Sequence, residues 1–170
     1  MTRRRAMDDG FVFSPDMISP VETLKGRPGR LLAVDFGDVR TGLAISDPTG
    51  FLASGLGYIS PGGIAKTAAA VAEEARKRDA VAVVVGLPRN MDGSEGPRAG
   101  RCREFAGRVH VLSGLPVVMT DERLSTVAAS RFLNTTDTRG RERKKVIDSL
   151  SAEIILQDTL DRIKRMNTEN

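Results

Sequence analysis

Runs of apolar residues, separated by polar and glycine-rich stretches, predict five β-strands along the chain. The first two are joined by a connection as short as "GDV", which is typical of a β-hairpin. The fourth, "AVAVVV", is rich in β-branched residues and predicts a strand buried on both faces. The predicted strands span residues 31–36, 41–46, 53–59, 80–85 and 116–120.

Apolar and charged residues at helical spacing predict four helices. The first follows a Pro-Gly-Gly break, and Pro97 stands at the first position of the second. Ser125 is a candidate N-cap for a short third helix, and the last helix is long, with apolar residues near one side. The predicted helices span residues 64–78, 97–112, 125–133 and 145–166.

This order of elements predicts an α/β fold. The first three strands follow one another directly and should be antiparallel, whereas helical crossovers make the later strands parallel. The expected product is a mixed five-stranded sheet with helices on both faces. The 170 residues suit one domain, which we place at residues 30–170. Residues 1–29 contain prolines and show no helical period, so we expect an irregular N-terminal tail.

Composition excludes several kinds of protein. No run of 18 apolar residues is present, so no membrane span is predicted. The single cysteine and single histidine, Cys102 and His110, rule out an internal disulfide framework and a Cys/His zinc site. We therefore expect a reducing, cytoplasmic location, with Cys102 as a small buried hydrophobe. The oligomeric state is left open by the sequence.

Positive charge is concentrated in one segment. The chain carries a net charge of +4, and "RGRERKK" at residues 139–145 combines several basic residues with a single acid. Such a segment is the electrostatic signature of a protein that binds a polyanion. The alternative is a solvated loop without a partner.

Several carboxylates should meet at one edge of the predicted sheet. Asp35 ends the first strand, and Asp121 and Glu122 follow the fifth, at the edge where α/β proteins usually form their sites. Asp148 lies in the first turn of the last predicted helix. Oxygen ligands without histidine or cysteine suit Mg²⁺ or Mn²⁺, which can drive phosphodiester hydrolysis. Alternatively, each acid caps a turn or a helix N-terminus.

Four stretches, taken in order, resemble the YqgF/RuvX family, whose members are known as pre-16S rRNA nucleases and as Holliday junction resolvases. They are "AVDFGDVRTGLAISD", "VVVGLPRNMDGSEGPRA", "DERLSTVAA" and "KKVIDSLSAEIILQDTLD". The resemblance covers about residues 30–165. It implies an RNase H-like fold and a metal-dependent nuclease that matures the 5′ end of pre-16S rRNA, with the small-subunit precursor as a partner.

The resemblance also implies which acids are catalytic. Asp35, Glu122 and Asp148 would hold Mg²⁺ or Mn²⁺, with Asp121 as the substitute for Glu122. Related resolvases carry an acid at the end of the strand that here reads "VVVGLP". This chain has Gly86 there, so its second ligand must come from elsewhere.

Basic and polar residues near these acids are candidates for binding nucleic acid. Arg40 and Arg123 neighbour the acids, and each could bind the scissile phosphate or pair with a carboxylate. Arg89 and Asn90 precede a helix N-terminus, which favours anions, although the Met-Asp-Gly that follows is also good turn chemistry. The full candidate set is Arg40, Arg89, Asn90, Arg123, Arg141, Arg143, Lys144 and Lys145.

Three other functions fit parts of this pattern. Resolution of branched DNA would use the same carboxylates and basic residues as RNA cleavage. A nucleic-acid-binding ribosome-assembly factor without catalysis would be hindered by carboxylates near phosphates. An actin-like ATPase is suggested by "DFGDVRTG", but such enzymes need two lobes around the nucleotide, and this chain has the length for one.

Overall fold

The computed structural model describes residues 9–122 and 141–169, and for residues 141–148 it describes the backbone only. The strands are β1 (Arg30–Asp35), β2 (Thr41–Ser46), β3 (Ala53–Ile59), β4 (Ala80–Leu87) and β5 (Val117–Asp121). The helices are α1 (Ile64–Lys77), α2 (Pro97–Ser113) and α3 (Arg141–Thr168). No helix within the described ranges is both long enough and apolar enough to cross a membrane.

The pairing of the strands confirms the predicted mixed sheet. The strands lie in the order β3-β2-β1-β4-β5. β2 is antiparallel to both β1 and β3, whereas β4 is parallel to both β1 and β5. The predicted bounds of β2 and β3 agree with the structure, and the other strands shift by one or two residues. The short helix predicted at residues 125–133 lies outside the described residues.

The last helix differs from its prediction. α3 begins at Arg141, four residues before the predicted start at Lys145. The prediction was wrong because it followed apolar periodicity, which residues 141–145 lack. Arg, Glu and Lys nevertheless favour helix through their long, unbranched side chains. Part of the basic segment expected in a loop therefore belongs to the first turns of a helix.

Large side chains fill the face of the sheet that packs against α1 and α2. β-branched and leucine residues of the strands, with Phe36 directly after β1, pack there with Val71 of α1 and Phe105 of α2. The rings of Phe36 and Phe105 stack with their centroids 4.5 Å apart. Such a pair contributes about 1 kcal/mol beyond the burial of its area. The stack anchors the chain directly after Asp35, the last residue of β1.

Small side chains line the opposite face of the sheet, against α3. Ala33, Ala44 and Ala82 are fully buried there, as is Ala152 of the helix. At Gly55 of β3 an added Cβ would overlap the hydroxyl of a serine on α3. Small residues on both sides therefore let the helix approach the sheet closely.

α3 also covers the free edge of the sheet at β3. The Gln157 side-chain oxygen accepts a hydrogen bond from the Ala53 N–H at 3.0 Å, and the hydroxyl of Ser149 accepts one from the Gly57 N–H at 3.2 Å. Unpaired backbone groups on an edge strand promote aggregation, and these bonds satisfy two of them. They also show that α3 runs antiparallel to β3. The N-terminus of α3 therefore lies towards the end of the sheet where β1 and β3 terminate, which is the edge that carries Asp35.

Residues 9–24, here called the N-terminal strap, pack on the domain, although the sequence pattern placed them in a tail outside it. Phe11, Phe13 and Met17 lie against α2 at Gly107, where an added Cβ would come within 3.0–3.1 Å of each side chain. A side chain at this position would push the strap away from the helix. Gly107 therefore makes room for the strap.

The second half of the strap lies along β5 and enters the core. The Ser19 N–H donates to the Val117 carbonyl at 2.8 Å, and Ser19 forms an isolated parallel bridge beside this edge strand. Val21 and Leu24 are buried in the core under α3. The strap thus contacts both faces of the molecule and shields the β5 edge.

Candidate active site

Asp35 ends β1, the central strand of the sheet. Side chains alternate between the two faces of a strand, and Leu31 and Ala33 pack against α3. Asp35 therefore lies on the α3 face. Its partner across the β1–β2 ladder is Gly42, and the partner of Gly42 on β3 is Tyr58. A single row across the sheet thus runs through Tyr58, Gly42 and Asp35.

Glu122 directly follows β5, and its carboxylate lies over β4. A Cβ added to Gly86 would overlap Glu122 Oε1 and would lie 2.8 Å from Ile155 Cδ1 of α3. The carboxylate is therefore on the α3 face and fills the space that a side chain at position 86 would take. Since β4 lies between β5 and β1, the distance between β5 and β1 is about 10 Å. The long side chain of Glu122 spans part of that gap towards Asp35.

Asp121, the alternative to Glu122, lies on the other face of the sheet. Val117 and Met119 pack with the core under α1 and α2, and Asp121 continues their alternation. Its Oδ2 lies 3.6 Å from Arg89 Nη1. Of the two neighbouring acids, Glu122 is therefore the one that shares a face with Asp35.

Asp148 belongs to α3, and only its backbone is described. It precedes Ala152 by four residues and Ile155 by seven, which corresponds to about one and two helical turns. Its backbone therefore lies on the helix face that packs on the sheet. Because the N-terminus of α3 lies towards the edge where β1 ends, the elements carrying the three predicted acids converge there.

The donors at this edge suit a hard divalent cation. Asp35 and Glu122 offer carboxylate oxygens, which Mg²⁺ and Mn²⁺ prefer. Burial raises the pKa of the nearby Cys102 thiol to about 12, and the charges of Glu122 and Asp35 add to this effect. The thiol stays protonated at neutral pH, so it offers no soft thiolate ligand.

A complete ligand set is not present among the described side chains. Within residues 9–122 and 149–169, no three His, Cys, Asp or Glu side chains are grouped so that they could hold a metal ion. Asp35 and Glu122 are the two candidate oxygen ligands from this part of the chain. Asp148 as the third ligand stays a prediction.

Arg40 lies over an aromatic ring at the rim of the site. Its guanidinium carbon is 5.0 Å from the centroid of the Tyr58 ring. Such a contact contributes about 0.5–1 kcal/mol at an exposed site, more when desolvated. Tyr58 shares a row with Asp35, so the ring holds the positive charge near the carboxylate edge. Sequence analysis missed Tyr58, because the bulge at Leu56 breaks the alternation along β3.

Arg89, the second residue of the β4–α2 loop, carries a buried hydrogen-bond donor. Within the described part of the chain, its Nε is buried without a hydrogen-bond partner, while Nη1 faces Asp121. A buried donor left unsatisfied costs about 1–3 kcal/mol. A rearrangement that brought an anion to this guanidinium would therefore stabilise the loop.

Asn90 closes a turn in the same loop. Its N–H donates to the Ser94 carbonyl at 2.9 Å, and its side-chain amide donates to the Ser94 hydroxyl at 2.9 Å. The turn chemistry that the sequence suggested for this stretch is thus present. A role of Asn90 in binding nucleic acid stays a prediction.

The other candidate cations follow β5 or begin α3. Arg123 lies outside the described residues, and Arg141, Arg143, Lys144 and Lys145 are described by backbone alone. These four occupy the first turns of α3. A helix N-terminus carries a partial positive charge, so cations there are unfavourable unless an anion neutralises them. Their position therefore favours a polyanion partner over a solvated loop.

Comparison with known proteins identifies related sequences over most of the chain. The model of the RuvX family, described as "Holliday junction resolvase", matches residues 29–162. A protein of Moorella thermoacetica named "Putative pre-16S rRNA nuclease" is 46% identical over 134 residues, which cover 79% of this chain and 96% of the relative. A protein of the same name from Paracoccus denitrificans is 44% identical over 138 residues, covering 81% and 87%.

Solved structures agree with the fold. RuvC of T. thermophilus, in complex with a Holliday junction substrate, superposes with a TM-score of 0.50 at 14% identity, covering 80% of this chain and 96% of RuvC. This likeness confirms the expected RNase H-like fold. The family description and the names of the relatives all designate enzymes that hydrolyse phosphodiester bonds. The chain therefore belongs to the RuvX family of nucleases.

Proposed function

We propose that this protein is a divalent-metal-dependent endonuclease that cleaves the precursor of 16S rRNA near its 5′ end during ribosome assembly. The names of relatives at 46% and 44% identity support RNA as the substrate. The structural support is one observation: the Glu122 carboxylate fills the space above Gly86, on the face that carries Asp35. Two acids suited to phosphodiester hydrolysis therefore share one face under α3.

In this proposal three acids bind the metal ion, and the packing of the fold keeps two of these acids in position. Asp35, Glu122 and Asp148 are the proposed ligands of Mg²⁺ or Mn²⁺. When bound, such ions activate water for attack on phosphorus and neutralise charge on the leaving oxygen. The Phe36 stack and the packing around Gly86 limit the movement of Asp35 and Glu122. Ligands that are already in place need little reorganisation during the reaction.

Arg40 and Arg89 would bind phosphate oxygens near the scissile bond. Each is positioned by a neighbour, Arg40 by the Tyr58 ring and Arg89 by the Asp121 carboxylate. A guanidinium can make two parallel hydrogen bonds to one phosphate, which orients the substrate as well as attracting it. Phosphate contacts carry no base information, so we expect affinity that falls with salt.

Resolution of four-way DNA junctions is the second candidate. It is favoured by the description of the family model that matches residues 29–162. The same acids and arginines would serve, because both reactions hydrolyse a phosphodiester bond of a nucleic acid.

The test is cleavage of a pre-16S rRNA fragment and a four-way DNA junction side by side, with Mg²⁺, with Mn²⁺ and with EDTA. We expect wild-type protein to cut the RNA with metal and not with EDTA. Loss of a residue that only orients a metal ligand typically slows an enzyme by about 10- to 100-fold. Glu122 is proposed as a ligand itself, so Glu122→Gln should slow cleavage by more than about 100-fold. Asp35→Asn should do the same and keep nucleic-acid binding.

Glu73→Gln is the matched control for Glu122→Gln, because it makes the same change at a carboxylate on α1 that pairs with Arg76 and takes no part in the proposed site. Its rate should fall far less. Equal losses in the two variants would contradict the role of Glu122. Cutting of the junction alone would establish the second candidate. Binding without cutting in either metal would support the assembly-factor alternative.

A further inference from the structure

Two loops leave the sheet at the edge that carries Asp35 and Gly86, and each exposes a large apolar side chain. Val39, between β1 and β2, is 74% exposed, and Met91, between β4 and α2, is 91% exposed. Single exposed apolar residues are common on proteins and need no explanation. These two, however, follow neighbouring strands and stand beside the same candidate active site.

The turn that carries Met91 is held by hydrogen bonds and not by burial of the methionine. The Gly93 N–H donates to the Asn90 carbonyl at 2.9 Å, and the Ser94 N–H donates to Asp92 Oδ1 at 2.9 Å. The Ser94 hydroxyl donates to the same carboxylate oxygen. Met91 therefore stands at the tip of a well-defined turn. Its unbranched thioether can adapt to an apolar partner.

The loop that carries Val39 is also held in place. Its backbone turns so tightly that a Cβ on Gly37 would overlap the Arg40 carbonyl. The Ser60 hydroxyl donates to the Val39 carbonyl at 2.6 Å, and Asp38 forms an ion pair with Arg101 at 2.7 Å. The valine side chain thus faces solvent from an ordered backbone.

In each loop the exposed apolar residue stands close to an arginine. Val39 directly precedes Arg40, and Met91 follows Arg89 by two residues. Arginines bind phosphates, whereas apolar side chains can pack on the faces of bases, which in a duplex first requires the bases to be unstacked at a cost in free energy. The two kinds of side chain together match a strand whose bases are accessible.

We propose that Val39 and Met91 contact the faces of unpaired bases next to the scissile phosphate. The enzyme then acts on nucleic acid that is single-stranded or unstacked at the cleavage point, and it binds intact duplex less well. This inference rests on the proposed nuclease function and specifies its substrate class.

The test compares Val39→Ala, Met91→Ala and the double variant in the full chain. Val111→Ala combined with Leu112→Ala is the matched control, because these side chains are 59% and 56% exposed at the C-terminal end of α2, away from the site. The probes are a fluorescein-labelled RNA of about 12 nucleotides, within the site sizes of single-strand binders, and the same RNA annealed to its complement. Fluorescence anisotropy with Mg²⁺ gives each affinity in the Asp35→Asn background, where cleavage does not interfere.

We expect the parent to prefer the single strand and the double variant to lose about tenfold in affinity for it, with little change for the duplex. The control variant should bind both probes like the parent. Equal losses on the two probes, or no loss on either, would overturn the proposal.

Cleavage by the wild-type protein tests the proposed function separately. If the protein cuts neither substrate and still prefers the single strand through Val39 and Met91, that result would support the contact with unpaired bases and contradict the proposed nuclease function. If the wild-type protein cuts and the double variant keeps the full preference for the single strand, the nuclease function stands and the proposed base contacts of Val39 and Met91 are wrong.

Discussion

Gly86 controls the position of the second acid in the candidate active site. It lies near the end of β4, and the space left by its missing side chain is shared by Glu122 and Ile155. An acid that follows β5 has to reach over β4 to approach Asp35. Glu122 can do so because its side chain is one methylene longer than that of an aspartate and because position 86 has no Cβ.

Gly86→Ala should lower the cleavage rate by about 10- to 100-fold and leave the protein folded. The added Cβ would overlap Glu122 Oε1 and crowd the end of Ile155, which lies 2.8 Å away. Both groups are the ends of flexible side chains, so Glu122 moves and the backbone does not. Cleavage rate at saturating Mg²⁺ and the thermal unfolding midpoint measure the two effects.

Gly100→Ala is the matched control for this substitution. A Cβ at Gly100 on α2 meets nothing within 4 Å. Alanine is favoured over glycine in a helix by about 1 kcal/mol, so stability should rise slightly and cleavage should not change. Full activity of Gly86→Ala at an unchanged unfolding midpoint would contradict the place of Glu122 above β4.

The sequence identified Asp35 as a candidate but could not choose between Asp121 and Glu122. An apolar strand that ends in an acid marks Asp35 by itself. The other two acids are consecutive and follow the same strand, so they differ only in the face they occupy. That choice depends on packing against α3 and α2, which is a tertiary property.

The packing of the N-terminal strap on the domain was the feature least predictable from the pattern of apolar residues. Arg108 of α2 anchors its start: the guanidinium donates to Asp9 Oδ1 at 2.9 Å and lies 4.5 Å from the centroid of the Phe11 ring. A second carboxylate, Glu104, pairs with the same guanidinium at 3.0 Å. The strap has no long helical or strand period: its internal hydrogen bonds form two short 3-10 helices, Pro15–Met17 and Val21–Leu24, and its apolar side chains pack on other elements.

Asp9→Asn should weaken the anchoring of the strap at neutral pH and have no effect in strong acid. Hydrogen bonds from Arg108 hold the pKa of Asp9 at about 2, below the ordinary value of 3.8. The unfolded chain therefore binds this proton more readily than the folded one. The contact stabilises the fold fully above about pH 4 and progressively less as the pH falls towards 2.

Urea unfolding of wild type and Asp9→Asn at several pH values measures this effect. The midpoint of the variant should be lower at pH 7, and the two midpoints should approach each other between about pH 4 and pH 2. A gap of constant size across that range would show that Asp9 acts through something other than its charge.

Across the whole molecule, several of the cationic residues belong to elements at the edge that carries the acids. Arg40 and Arg89 lie there, and the basic first turns of α3 lie towards the same edge. At the other end of α3, Arg162 is near Glu22, at 4.0 Å. We expect a polyanion to approach the molecule with its phosphates towards the proposed metal ligands.

Neutralising Arg141, Arg143, Lys144 and Lys145 with glutamine should weaken nucleic-acid binding and flatten its dependence on salt. Each phosphate-binding cation removed should reduce the slope of log affinity against log salt by roughly 0.7 for a single strand. Anisotropy titrations at several salt concentrations give the slope. Glutamine at Lys77, Arg162, Lys164 and Arg165 is the control. These residues lie near the C-terminal ends of α1 and α3, away from the first turns of α3. An unchanged slope in the first variant would leave the basic segment as solvated surface.

The architecture was largely predictable from the sequence, because buried β-branched runs and short connections determine the strands and their order. The start of α3 was not, since its first residues are charged and carry no apolar period. The contact of Tyr58 with Arg40 was not predictable either, because it depends on the bulge in β3. Local patterns thus predict elements, and contacts between elements require the folded structure.

The Tyr58 ring under Arg40 can serve as an intrinsic fluorescent probe of the candidate active site. The chain has one tyrosine and no tryptophan, so its near-ultraviolet emission comes almost entirely from Tyr58. That ring shares a row with Asp35 and lies against Arg40. A metal ion or substrate that moves the guanidinium changes the surroundings of the only emitter. Occupancy of this edge can therefore be followed by light from unlabelled, wild-type protein.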